Sequence, residues 1–124
     1  MKKLLIVDDE TEIVEFLSNF FAERGGFEIL TATSQEEAIN IIEQKTPEII
    51  LLDLRMRGNK TGGFEVLTKT MGVSPKSKVI MVTAIEDKTS IDEAMKLGAV
   101  DYITKPLSLE YLENTVMEKL KEFA

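Results

Sequence analysis

Short apolar runs alternate along this chain with longer segments in which apolar residues recur every three or four positions. The runs are Leu4-Leu5-Ile6-Val7, Ile49-Ile50-Leu51-Leu52, Val79-Ile80-Met81-Val82 and Val100-Asp101-Tyr102-Ile103, with Phe27-Glu28-Ile29-Leu30-Thr31 as a fifth, weakly alternating one. Runs of this length, bounded by turn residues, predict strands, and near-continuous apolarity suits strands buried on both faces. After the first strand, Ile13, Val14, Phe16, Leu17, Phe20 and Phe21 share one helical face, and Gly25-Gly26 ends that helix. Ser34 with Glu37 forms a capping box ahead of Ala38, Ile41 and Ile42, and Thr46-Pro47 stops the helix. Leu54 to Gly63 is Gly-rich and basic and predicts a loop, followed by a short helix over Phe64–Thr70 and a connector from Gly72 to Lys78. Thr89 or Ser90 is placed to cap a helix carrying Ile91, Ala94, Met95 and Leu97, with Gly98 closing it. Ser108 caps a last helix with Leu109, Leu112, Val116, Leu120 and Phe123 on one face.

Five strands in strict alternation with five helices predict an α/β fold with parallel strands and right-handed crossovers. The simplest arrangement is a flavodoxin-like doubly wound sheet of order 2-1-3-4-5. It is expected to be one domain over residues 1–124, a length that supports a single core. In such sheets ligands bind outside the carboxyl ends of the strands. That is where Asp8-Asp9, Asp53, Thr83 and Lys105-Pro106 fall. The first and third strands are neighbours in this order, so Asp8, Asp9 and Asp53 are predicted to converge.

Three carboxylates together repel one another unless a cation joins them. Mg²⁺ takes oxygen ligands, usually one or two carboxylates with water and phosphate oxygens. Taken singly, each residue has an ordinary alternative. An Asp caps a helix or starts a turn, a Thr sits in a strand, and a Lys is solvated. Gathered at one sheet edge, they form a pocket for a divalent cation and a phosphoryl group, with Asp53 as acceptor. No Gly-rich phosphate-binding motif of the P-loop or dinucleotide type is present, so a nucleotide cofactor is not indicated.

Composition narrows the chemistry. Cysteine and histidine are both absent, which excludes disulfides, thiolate metal sites and histidine general bases. The net charge of −7 argues against direct nucleic-acid binding. The basic tip and apolar run of Met1–Val7 superficially match a secretory leader, but Asp8-Asp9-Glu10 interrupts the run too early. No run is long enough to insert in a membrane, and a cytoplasmic location is expected.

Four motifs in order, Leu4-Leu5-Ile6-Val7-Asp8-Asp9, Leu51-Leu52-Asp53-Leu54-Arg55-Met56, Val82-Thr83-Ala84 and Tyr102-Ile103-Thr104-Lys105-Pro106, carry a resemblance over essentially the whole chain. The chain resembles a response-regulator receiver domain of two-component signal transduction, of the chemotaxis-regulator-like kind. The resemblance implies that Asp53 accepts a phosphoryl group from a histidine kinase or a phosphotransfer protein. It implies Mg²⁺ organised by Asp8 and Asp9, with Asp9, Asp53 and the backbone carbonyl of Arg55 as direct ligands. It further implies that Lys105 binds phosphoryl oxygens, that Thr83 moves toward them, that Tyr102 changes rotamer with Thr83, and that the Lys105–Pro106 bond is cis. The domain would catalyse only its own phosphorylation and dephosphorylation. Its output partner is unspecified, and the chain reads as either a stand-alone receiver or one cut from a larger regulator.

One departure stands out. Such domains usually carry Pro after the Asp-Leu-Arg-Met motif, whereas Arg57 stands here, and the stretch Gly58 to Gly63 reads as about two residues longer than usual, with Arg57 and Lys60 as the cations of this predicted loop. Two other readings compete. An aspartyl-phosphate phosphohydrolase also uses Asp, Thr, Lys and Mg²⁺, but it carries a general acid two residues after the nucleophile, where this chain has Arg55. A receiver-like module that only binds partners would not need the intact acidic pair, acceptor, Thr and Lys.

Overall fold

The computed structural model describes residues 1–56, 62–84 and 88–123. Five strands form one parallel sheet: β1 (Lys2–Val7), β2 (Phe27–Ala32), β3 (Ile49–Asp53), β4 (Lys78–Ala84) and β5 (Asp101–Lys105). The order is β2-β1-β3-β4-β5, as the alternating pattern predicts. The crossovers are α1 (Thr11–Arg24), α2 (Gln35–Lys45), α3 (Gly62–Val73) and α4 (Lys88–Leu97). A last helical segment, α5, runs through Leu109–Tyr111, a π-helical turn at Leu112–Val116, and Met117–Phe123. No helix among the described residues is long and apolar enough to cross a membrane.

The strand runs are apolar throughout because the sheet is covered on both faces. Leu5, Val7, Ile50, Leu52, Val79 and Met81 point into a core shared with α2, α3 and α4. Leu4, Ile6, Ile49, Leu51, Ile80 and Val82 point into a second core with α1 and α5. Each such side chain contributes roughly 1.5–3 kcal/mol on burial, enough in sum to hold charged groups at the sheet edge against their own preference for water.

Local signals explain the helix ends. The Ser34 hydroxyl accepts the Glu37 N–H at 3.1 Å, and Glu37 Oε1 accepts the Thr33 N–H at 2.7 Å. Ser108 caps α5 by accepting the Tyr111 N–H at 3.1 Å. Gly25 and Gly98 end α1 and α4 with positive φ.

Several expectations are corrected. Helix α3 begins at Gly62 and ends at Val73, so it takes in two residues assigned to the loop and shortens the following connector to 74–77. Helix α4 already includes Lys88, so Thr89 and Ser90 lie inside its first turn and do not cap it. Phe16, Met95 and Leu109 stand on the outer margins of their helices and are exposed, because each apolar face is narrower than its periodicity indicates. The departure at Arg57 to Thr61 lies outside the described residues.

Candidate phosphoryl and metal site

Strand register assembles the site. Val7 pairs with Leu52, so Asp8 and Asp53 are the next residues at adjacent strand ends. Asp53 pairs with Val82, Thr83 with Thr104, and Ala84 with Lys105. The carboxyl ends of β3, β4 and β5 therefore present Asp53, Thr83 and Lys105 to one cleft, with Asp8 at the end of β1 buried against Lys105. That cleft, of about 280 Å³, is lined by Asp9, Glu10, Asp53, Arg55, Thr83 and Lys105, among others.

The charges interlock. Lys105 Nζ lies 3.2 Å from Asp8 Oδ2 and 3.5 Å from Asp53 Oδ1. Asp8 Oδ1 accepts the Glu10 N–H at 2.9 Å, which places Asp8 in the turn that starts α1 rather than as its cap. The Lys105–Pro106 bond is cis, in agreement with the resemblance.

Burial sets the protonation chemistry. Asp53 is 6% exposed. Desolvation, then the neighbouring Asp8 carboxylate, push its pKa up to about 7, against the opposing pull of Lys105. Asp8 is also raised, mainly by burial. Burial disfavours the Lys105 ammonium, but Asp53 and Asp8 outweigh it and hold the lysine above its ordinary value. Among the described residues the Lys105 ammonium faces two buried carboxylates, with Asp9 and Glu10 beside them and Arg55 also lining the cleft.

The donor set fits a hard divalent cation. Asp8, Asp9 and Glu10 each offer a carboxylate oxygen within 4.8 Å of the others. Every donor is oxygen, as Mg²⁺ requires. Thr83 Oγ1 is buried with no hydrogen-bond partner among the described residues. Ser18 Oγ on α1 is in the same state, so it is the place of Thr83 beside Asp53 and Lys105 that gives its free hydroxyl significance. Glu10 was not among the expected ligands. The uninterrupted acidic run Asp8-Asp9-Glu10 was the signal that could have included it.

Tyr102 does not join the cleft. It lies on β5 and is 39% exposed, with the Lys119 ammonium 5.8 Å from its ring centroid and Lys119 paired to Asp101 at 2.9 Å. Its ring therefore occupies an outward position.

Comparison with known proteins agrees with this geometry. The response regulator receiver domain family matches residues 4–117. The chain is 36% identical over 107 residues to the alkaline phosphatase synthesis transcriptional regulatory protein PhoP of Bacillus subtilis, covering 86% of this chain and 43% of that protein. It is 29% identical over 119 residues to sporulation initiation phosphotransferase F of the same organism, covering 96% of this chain and 94% of that one. Among solved structures, a CheY-like response regulator receiver domain protein from Methanospirillum hungatei superposes with a TM-score of 0.85 at 30% identity, covering 99% of this chain and 96% of that one. The chain spans less than half the length of PhoP and of the probable transcriptional regulator ycf27 of Guillardia theta. The matched span runs from β1 into α5 and takes in every strand end that builds the cleft, so the chain belongs to the response regulator receiver domain family of two-component signalling.

Proposed function

We propose that this domain is a Mg²⁺-dependent phosphoryl acceptor at Asp53 that switches protein–protein contacts in a cytoplasmic phosphorelay. The observation that carries this reading is the buried Asp53 carboxylate at a strand end, with the Lys105 ammonium 3.5 Å away and the unpartnered Thr83 hydroxyl in the same cleft. The phosphodonor is a histidine kinase or a phosphotransfer protein.

In the transfer, an Asp53 oxygen forms a bond to phosphorus as the donor's N–P bond breaks. The donor nitrogen keeps the electron pair and takes a proton from solvent. Asp53 must be ionised to attack, and burial beside Asp8 opposes that. Asp8, Asp9, Glu10, Asp53 and the Arg55 carbonyl are the groups that would hold Mg²⁺, whose charge favours the ionised carboxylate and neutralises phosphoryl oxygens. Lys105 sits where it can bind a second oxygen of the phosphoryl group. Thr83 would donate its hydroxyl to a third, gaining the partner it lacks. Inward movement of Thr83 would open space beside β5 into which Tyr102 could turn, changing the face formed by α4, β5 and α5.

Incubation with acetyl phosphate and Mg²⁺ tests the acceptor chemistry. The expected result is a mass increase of one phosphoryl group in the wild type and none in Asp53→Asn or in EDTA. No adduct in the wild type would overturn the reading. Mg²⁺ should also raise the melting temperature at millimolar concentration, on the order expected for weak carboxylate sites, and Asp9→Ala should abolish that response. For the switch, amide NMR with beryllofluoride and Mg²⁺ should show shifts spreading from Thr83 to Tyr102 and α4. Shifts confined to the cleft would leave the acceptor role and remove the switch.

A further inference from the structure

The start of α2 is bolted to the start of α3 by one side chain. Gln35 Nε2 donates to the Gly62 carbonyl at 2.9 Å and to Glu65 Oε2 at 3.0 Å. Both acceptors are oxygens, which fixes the amide orientation: only the NH₂ end can face them. Gly62 in turn lies flat against Met56, since a Cβ there would come within 2.7 Å of Met56 Cγ. Its neighbour Gly63 donates its N–H to the Leu54 carbonyl at 2.8 Å. Gly63 therefore holds the Leu54 carbonyl by a backbone hydrogen bond while Gly62 packs on the Met56 side chain, and Arg55 lies between these two contact points in the chain.

We propose that Gln35 is a positioning residue for the cation site. By holding Gly62 and Gly63 against Leu54–Met56, it keeps the Arg55 carbonyl where Mg²⁺ would take it as a ligand. The inference rests on the Mg²⁺-dependent reading above. Nothing in local structure demands this residue. Gln35 is the first residue of α2, directly after its Ser34 cap, where an acidic residue would suit the helix N-terminus better.

That position allows a sharp test. Mg²⁺ is titrated into the full chain by amide NMR for wild type, Gln35→Ala, Gln35→Glu and Gln35→Arg, with melting in EDTA measured alongside. Gln35→Ala and Gln35→Glu remove the donor and should weaken Mg²⁺ binding by about 3- to 10-fold, the scale of one lost hydrogen bond. Melting in EDTA should fall only by the modest amount that these two hydrogen bonds contribute, because they also form without metal. Gln35→Ala is decisive, because it removes the donor without adding charge, whereas Gln35→Glu also sets a second carboxylate against Glu65. Gln35→Arg can donate to both oxygens but brings a charge that repels the cation, so binding no weaker than in Gln35→Ala would report the restored donor. Wild-type affinity in the Ala variant would overturn the proposal, as would loss of the native amide spectrum in EDTA. A wild type without saturable Mg²⁺ binding would instead overturn the metal reading on which the proposal rests.

Discussion

Replacing Asp53 by Asn is expected to stabilise the metal-free protein at neutral pH and to remove much of its pH dependence. The folded pKa of Asp53 is raised from 3.8 to about 7, first by burial and then by Asp8. Below about pH 4 the group is protonated in both states and contributes nothing. Between about pH 4 and 7 the unfolded chain gives up the proton while the folded chain keeps it, so rising pH favours unfolding. Above 7 the loss levels off. Three units correspond to about 4 kcal/mol at the upper limit, since one unit is about 1.4 kcal/mol. A gain on the order of 2–4 kcal/mol is therefore expected for Asp53→Asn at about pH 8. Lys105 keeps Asp8 at 3.2 Å in the variant, so its ammonium is not stranded. Urea unfolding of both proteins in EDTA, from about pH 4 to 8, reads the difference. It should be small at the acid end, grow through the interval and then flatten, and added Mg²⁺ should shrink it. A constant difference, or a variant less stable than the wild type at pH 8, would show that the Asp53 charge is well accommodated without a cation.

The features legible in sequence were those that repeat a simple physical rule. Four apolar runs ending in Asp8, Asp53, Thr83 and Lys105 gave the parallel sheet, its order and the convergence of the four side chains, because strand ends in such a sheet share one edge. The capping hydroxyls Ser34 and Ser108 and the terminating Gly25 and Gly98 were equally readable, since each meets a local backbone requirement. What escaped depends on contacts between segments distant in sequence. Gly62 and Gly63 read as loop residues because glycine disfavours helix, yet they start α3, where Gly63 lies against the backbone of Asp53 and Leu54 and Gly62 against the Met56 side chain. Gln35 looks like an ordinary first-turn residue until its partners 27 and 30 positions away are known. Phe16 and Leu109 fit helical spacing but not the width of the face that the sheet covers.

Two glycines of α3 should respond in opposite senses to the same substitution. Helix propensity alone predicts that Ala stabilises both, by about 0.5–1 kcal/mol. Gly72 has no heavy atom within 4 Å of a built Cβ, so Gly72→Ala should gain about 0.5 kcal/mol, near the low end because the helix stops at Val73. At Gly63 a Cβ would lie 2.6 Å from the Asp53 carbonyl oxygen and 2.7 Å from Leu54 Cα. Those are backbone atoms, pinned by the bond from Leu54 N–H to the Val82 carbonyl at 3.1 Å and by burial of the whole of β3. They cannot rotate away as a side-chain tip would, so overpacking outweighs propensity. Gly63→Ala is expected to lose about 2 kcal/mol or more and, because the displaced atoms belong to the acceptor residue, to slow phosphoryl incorporation from acetyl phosphate. Gly72→Ala should leave that rate unchanged, which makes it the control for helix propensity. Equal stabilisation by both substitutions would mean that α3 slides off β3 freely. A destabilised Gly63→Ala that still accepts phosphoryl at the wild-type rate would show that the contact supports the fold without setting the position of Asp53.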